Sequence, residues 1–238
     1  MNASKLFLYA ALIASTGLAT LATIFVAEPY YAFRASEKLG LNKNSFRTIA
    51  HAEAQKAIND LRAAQGEPVT IAFFGASTIE GLDVRRFGKG AANFAYGGWT
   101  MAQVKDEWMR APHLHKGNTS IVLAGLNDLF RGRSISEVES DLAAMFSMRG
   151  ANEKTILIGV LPVNPKGSLG GNADNETIAA LNIALKTQCE KINGCTYIDP
   201  AAAFEAPLNP AYDRGDGVHL NADGYRALAA LIEPALAD

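Results

Sequence analysis

The chain carries little net charge and no concentration of either sign. Its 24 acidic and 22 basic residues leave a net charge of -2, and no Lys/Arg tract stands out. Nothing in it addresses nucleic acid or a strongly acidic ligand, so neither is expected as a partner. Internal repeats are missing, as are heptad runs, which excludes solenoid arrays and coiled coils. Cysteine occurs only at positions 189 and 195, which limits covalent cross-linking within the chain to one bridge. Histidine occurs four times. His113 and His115 flank Leu114, but no further Cys, His or carboxylate partner is evident beside them, so no metal site is expected. His51 falls in a helical stretch and reads as a surface residue. Gly88-Lys89-Gly90 is too short for a phosphate loop and lacks the helix that should follow one. No cofactor is expected.

Apolar residues make up 49% of the 238 positions, enough for a sizeable core in one large domain or a modest domain plus an extension. Residues 1–30 read as the extension. Leu6 to Ala27 carries no charge and follows Lys5, and the run is long enough to span a bilayer as a helix. A signal anchor is the expectation. A cleaved signal peptide is the alternative, with small-residue sites ending at Ala19 and Ala22. Arg34, Lys38, Lys43 and Arg47 follow the run, and by charge count alone would keep the rest of the chain inside. Long domains translocate largely regardless of such charges. The expected location is therefore the periplasmic or extracytoplasmic face, tethered to the membrane by residues 6–27, or secreted if the segment is cleaved. Cys189 and Cys195 fit that location, because Asn193-Gly194 supplies a turn able to bring them together. Such a bridge requires an oxidising compartment.

Residues 31–68 read as a connector and a helix. Ala32 to Asn44 is polar, and Ser45 is a candidate N-cap for a helix through about Ala64. Gln65-Gly66-Glu67-Pro68 ends it, and the main domain, residues 69–238, begins. Five short apolar runs follow: Val69–Phe74, Ala92–Tyr96, Ser120–Ala124, Thr155–Val160 and Thr196–Ile198. They lack polar alternation, as strands covered on both faces do. Helical stretches at Met101–Arg110, Ser136–Met148, Asn175–Lys191 and Asn221 to about Ala237 separate most of them or follow the last. Alternation of this kind predicts an α/β fold with a parallel sheet and helices on both faces. Ligands in such sheets bind at the carboxyl ends of the strands. Ser77, Gly97-Gly98, Asn127, Pro162-Val163-Asn164 and Asp199-Pro200 all fall just past a predicted strand end. Pro165 to Asn175, rich in Gly, Ser and Asn, reads as a mobile surface loop beside that edge.

The chemistry is carried by three pieces. Ser77 lies in Phe74-Gly75-Ala76-Ser77-Thr78, where a tight turn exposes its hydroxyl near the backbone N–H groups of a helix N-terminus. Asn127 lies in Gly125-Leu126-Asn127-Asp128, with an amide able to donate to an oxyanion. Asp216 and His219 lie three apart in Asp216-Gly217-Val218-His219-Leu220, where both side chains reach one side of a turn. A hydroxyl nucleophile, an amide donor and an acid–base pair are the parts of acyl transfer to water. Each piece alone has a plainer reading: an N-cap serine, an Asn-Asp turn, a solvated Asp with a surface His. Together and in this order they are far more specific.

These blocks resemble the SGNH (GDSL-type) hydrolase family, as do Asn93 with Tyr96-Gly97-Gly98-Trp99-Thr100, Leu129-Phe130-Arg131-Gly132 after Asp128, and Asn221 after Leu220. The resemblance runs from about Val69 to the C-terminus. It implies a three-layer α/β/α flavodoxin-like fold with a five-stranded parallel sheet, and no metal. It implies Ser77 as nucleophile, Asp216 and His219 as its partners, and an oxyanion hole of Ser77, Gly98 and Asn127. One residue departs from the pattern: Ala76 stands where the family usually has Asp. The α/β-hydrolase alternative requires Gly-x-Ser-x-Gly, and position 79 is Ile.

The function expected from all this is a serine esterase acting on O-acyl esters, short-chain ones such as acetyl, on a small molecule or a carbohydrate. An O-acyltransferase or polysaccharide-modification factor using the same triad, and a non-catalytic carbohydrate-binding module, are the alternatives. Asn164 and Tyr212 are the candidate substrate contacts, with Arg214 beside them. Trp99 reads better as packing.

Overall fold

A computed structural model describes residues 68–110, 118–150 and 153–237, with residues 53, 54, 56, 57, 59 and 61 of a preceding helix. The apolar run Leu6–Ala27 lies outside the described residues, as does most of the connector. Among the described residues no helix is long and apolar enough to cross a membrane. The chain divides into two units, Met1–Glu53 and Ala54–Asp238, and the fold belongs to the second.

The apolar runs form five strands: β1 (Ile71–Gly75), β2 (Ala91–Asn93), β3 (Thr119–Leu123), β4 (Lys154–Ile158) and β5 (Cys195–Ile198). All neighbours pair parallel, in the order β2-β1-β3-β4-β5. That is the order of the flavodoxin-like doubly wound sheet. The helices in chain order are α1 (Ser77–Glu80), α2 (Met101–Arg110), α3 (Leu126–Phe130), α4 (Ile135–Ser147), α5 (Asn175–Glu190) and α6 (Ala222–Ala237). Side chains alternate across a strand, so each strand feeds two cores. Phe74, Val122 and Leu157 join the layer built with Trp108 of α2, Leu142 of α4 and Leu181 of α5. Phe73, Ile121 and Ile156 join the opposite layer, closed by Ile79 of α1 and by Leu228 and Ile232 of α6. Helices thus cover both faces of the sheet, as the unbroken apolar strands require.

Local chemistry sets the helix boundaries. Ser134 and Glu137 form a capping box that starts α4, and Asp174 caps α5 by accepting from Thr177 N–H. β2 is shorter than the predicted Ala92–Tyr96. The Asn93 side chain accepts from Ala95 N–H at 3.0 Å and donates to Ile79 O at 2.8 Å. The chain turns there, although Phe94 and Tyr96 still donate to β1. A disulfide joins Cys189, at the end of α5, to Cys195, at the start of β5.

Candidate active site

Ser77, Gly98 and Asn127 follow the carboxyl ends of β1, β2 and β3, which bracket the position where the strand order reverses. Crevices form at such switch points. Ser77 is the first residue of α1, a turn entered directly from β1. Ala76 N–H donates to Leu123 O at 3.3 Å, and Ala76 O accepts from Glu80 N–H at 2.9 Å. Ala76 occupies the N-cap and supplies no side-chain cap. The unusual alanine leaves the entry to the turn to backbone bonds, and the Asn93 side chain supports its far end through Ile79 O.

The remaining groups come from the far end of the chain. His219 Nε2 lies 3.0 Å from Ser77 Oγ, and His219 Nδ1 lies 2.8 Å from Asp216 Oδ2. The three side chains form one continuous chain of hydrogen bonds. Asp216 Oδ1 also accepts from Val218 N–H at 3.0 Å and from His219 N–H at 2.8 Å. Burial pushes the Asp216 carboxyl up, but those two N–H groups and the His219 ring outweigh it and hold the group below the usual carboxylate range. Arg214 Nε adds a contact to Oδ2 at 3.1 Å from a largely exposed side chain. Asp213, buried beneath the turn, accepts from Gly215 and Gly217 N–H at 2.7 and 3.0 Å and fixes its path.

After β2, Gly98 has φ +79, a left-handed conformation that suits glycine. Its carbonyl accepts from Arg131 Nη2 at 2.7 Å, and Arg131 Nη1 reaches Gln103 Oε1 at 3.2 Å. Asn127 Nδ2 donates to Trp99 O at 2.9 Å. One of its two N–H groups is thereby spent on orientation, and a second remains. Asp128 is fully buried behind it. Its carboxylate accepts from Met101 N–H, at the start of α2, at 2.8 Å and from Arg133 Nη1 at 2.5 Å. Arg133 Nη2 continues to Asp141 Oδ2 at 2.7 Å. Burial pushes the Asp128 carboxyl up, with Met101 N–H and Arg133 pulling back.

The two expected substrate contacts have these neighbours. Tyr212 is partly buried against the core layer beneath α6, its ring edge-on to Phe204 at 5.6 Å. Asn164 Oδ1 accepts from Lys166 N–H at 3.1 Å, closing its own turn, while Asn164 N–H donates to Gly217 O at 2.8 Å. Trp99 lies tilted against Tyr96, with ring centroids 4.1 Å apart. The Pro165–Asn175 stretch, expected as a mobile loop, is tied by backbone bonds to Asp216. The sequence reading missed the Asp128–Arg133–Asp141 chain, Asp213 and the Arg131 bridge. Only Asp128 and Arg131 stood in a quoted block, and nothing in spacing alone pairs them. No group of His, Cys, Asp and Glu able to hold a metal occurs among the described residues.

A serine hydroxyl, an imidazole and a carboxylate bonded in series, placed with amide groups after the strand ends at the switch point of a parallel sheet, have the chemistry that acyl transfer needs. Residues 81–227 match the GDSL-like lipase/acylhydrolase family, and the chain belongs to it. It is an ester-hydrolysing enzyme of that family. The match begins just past Ser77, so that residue's place rests on its bonds. Similar solved structures include a GDSL-like lipase from Bacteroides thetaiotaomicron, 22% identical over 76% of this chain and 96% of its own, with a TM-score of 0.64. A lipase/acylhydrolase from Enterococcus faecalis is 20% identical over 71% of this chain and 95% of its own, with a TM-score of 0.60. A mutant of an acetyl-xylooligosaccharide esterase from Geobacillus Stearmophilus is 18% identical over 68% and 91%, with a TM-score of 0.52. At these identities the likeness is one of fold. No curated protein sequence matches the chain.

Proposed function

We propose that the chain is a serine esterase that removes short acyl groups, acetyl foremost, from hydroxyls of a carbohydrate or a small molecule. The observation that carries this reading is the bonded chain Asp216–His219–Ser77, at 2.8 and 3.0 Å. His219 Nε2 takes the Ser77 proton as Oγ attacks the ester carbonyl carbon. The tetrahedral oxyanion is met by the Ser77 N–H, which has no preceding intrahelical acceptor, by the Gly98 N–H and by the free N–H of Asn127. His219 then gives its proton to the departing alkoxide, leaving an acyl-Ser77 ester. Water repeats the sequence, with His219 as base, and releases the carboxylic acid. Asp216 holds the imidazole with Nδ1 protonated, so that Nε2 is the basic nitrogen.

The choice of a short acyl group on a sugar draws support from the acetyl-xylooligosaccharide esterase among the similar folds. An exported location draws support from the apolar run Leu6–Ala27 and from the Cys189–Cys195 bridge, since disulfides persist in oxidising compartments. Residues 6–27 are then the membrane tether. An alkaline phosphatase fused to the C-terminus is expected to be active, and a silent but well-expressed fusion refutes export.

Ser77→Ala is expected to abolish hydrolysis of nitrophenyl acetate and labelling by a fluorophosphonate probe, with the fold intact by circular dichroism. Unchanged turnover in the purified variant would overturn the assignment.

A further inference from the structure

The Asn164–Asn172 stretch lies across the Asp216–Gly217 turn as a strap. Leu169 N–H and Gly170 N–H both donate to the Asp216 carbonyl, at 2.9 and 3.2 Å. Asn164 N–H donates to Gly217 O at 2.8 Å, and Gly167 N–H returns to Asn164 O at 3.0 Å. The two backbones touch. A Cβ placed on Gly167 would fall inside contact distance of Gly217 N and of the Asp216 carbonyl carbon. One placed on Gly170 would overlap Asn164 O and come within 2.9 Å of Gly217 O. All are backbone atoms, of the turn for Gly167 and of both the strap and the turn for Gly170, so they cannot swing aside as the tip of a flexible side chain would. Neither glycine is among those with positive φ. Alanine therefore suits the backbone at both positions, and only the contact forbids it. Gly171, next in the strap, has just Pro165 O at 3.4 Å as a neighbour.

Asp216 Oδ1 is also held by the Val218 and His219 N–H groups. Asp213 accepts from the Gly215 and Gly217 N–H groups, and the Arg214 contact comes from an exposed side chain. Among the described residues it is the strap that grips the Asp216 carbonyl, while carboxylate Oδ2 meets the His219 ring. Resting on the reading of Asp216 as the acid that orients His219, we infer that Gly167 and Gly170 are positioning residues. Their bare Cα atoms let the strap close on the turn and hold the Asp216–His219 pair in line with Ser77. A shift of about 1 Å in such a pair lowers turnover about 10²-fold.

The test compares Gly167→Ala, Gly170→Ala and Gly171→Ala, each alone and combined with Asp216→Ala. Turnover of nitrophenyl acetate and the rate of fluorophosphonate labelling are measured alongside thermal melting. Gly167→Ala and Gly170→Ala are expected to lower kcat about 10²-fold with KM within about twofold of wild type, while Gly171→Ala matches wild type. In the Asp216→Ala background, where the strap has no acid to position, the same two substitutions should slow labelling less than about threefold, since coupled residues are non-additive. Folded variants with wild-type kcat overturn the inference. So does an equal loss with and without Asp216, which a purely structural role would give. If neither alanine variant folds, hydrogen exchange on the unaltered protein decides: slow Leu169 and Gly170 amides support the strap, and freely exchanging ones overturn it. Ser77→Ala run in parallel separates the two levels. Activity surviving in it sinks the triad reading, whereas its loss beside unaffected glycine variants sinks the strap alone.

Discussion

Asp128→Ala offers a quantitative test of how the crevice is built. The carboxylate is wholly buried and accepts from Met101 N–H at 2.8 Å and Arg133 Nη1 at 2.5 Å. Met101 opens α2, so its N–H has no acceptor within the helix. Deletion leaves that buried donor unpaired, at about 1–3 kcal/mol. Breaking a buried ion pair by removing one partner typically costs about 3–5 kcal/mol, because the other charge is stranded. Arg133 escapes that fate: its side chain is 24% exposed and keeps Asp141 at 2.7 Å. Removal also abolishes the desolvation that pushes the Asp128 carboxyl up. The expected loss is therefore about 2–3 kcal/mol, below the full cost of a broken buried pair. Asp128→Asn keeps an acceptor for Met101 N–H and should lose about half as much. Urea unfolding of purified variants, with m-values compared, measures both. A shift under about 0.5 kcal/mol for Asp128→Ala, the size of an ordinary surface change, would refute the argument, as would an asparagine variant less stable than the alanine one.

Asn127→Ala should lower kcat about 10²–10³-fold, the usual loss for one oxyanion donor. A rate within about fivefold of wild type would leave Asn127 only an anchor for the Trp99 carbonyl. Reduction of Cys189–Cys195, or its replacement by serines, should cost about 2 kcal/mol, since the loop it closes is short; coincident urea curves with and without reductant would contradict this. Because the Asp216 carboxyl is held below its ordinary value, its contribution to stability is complete above about pH 4 and lost only as pH falls through the lower folded value. The stability gap between wild type and Asp216→Asn should thus be constant from pH 8 to about 4 and shrink below it. A gap already closing between pH 6 and 5 would reverse the sign of the shift.

The parts of this fold legible in the sequence are those written in side chains at short range. α2 falls at Met101–Arg110 and α5 begins at Asn175, both as predicted. Ser77, Asp216 and His219 meet because each lies at a turn whose residues specify it locally. What stayed hidden is long-range or written in backbone. The strap on Asp216 is made of N–H groups and bare Cα atoms, which give a composition typical of any loop. The Asp128–Arg133–Asp141 chain has no period. Tyr212 has a polar tip that suggested a ligand, and nothing local placed its ring beside Phe204. The early end of β2 came from a side chain, Asn93, acting on backbone.

Ser77 follows the first strand of the sheet, while His219 lies 142 residues further on, just before the final helix. No contiguous half of the chain holds a competent set of reacting groups. A nascent polypeptide that has emerged as far as α5 presents a serine with no base and a crevice with no acid. The layer that seats β1 is itself completed by Leu228 and Ile232 of α6. Ester cleavage therefore waits for the last helix of the domain, and the appearance of activity reports closure of the whole domain rather than the folding of any one part of it.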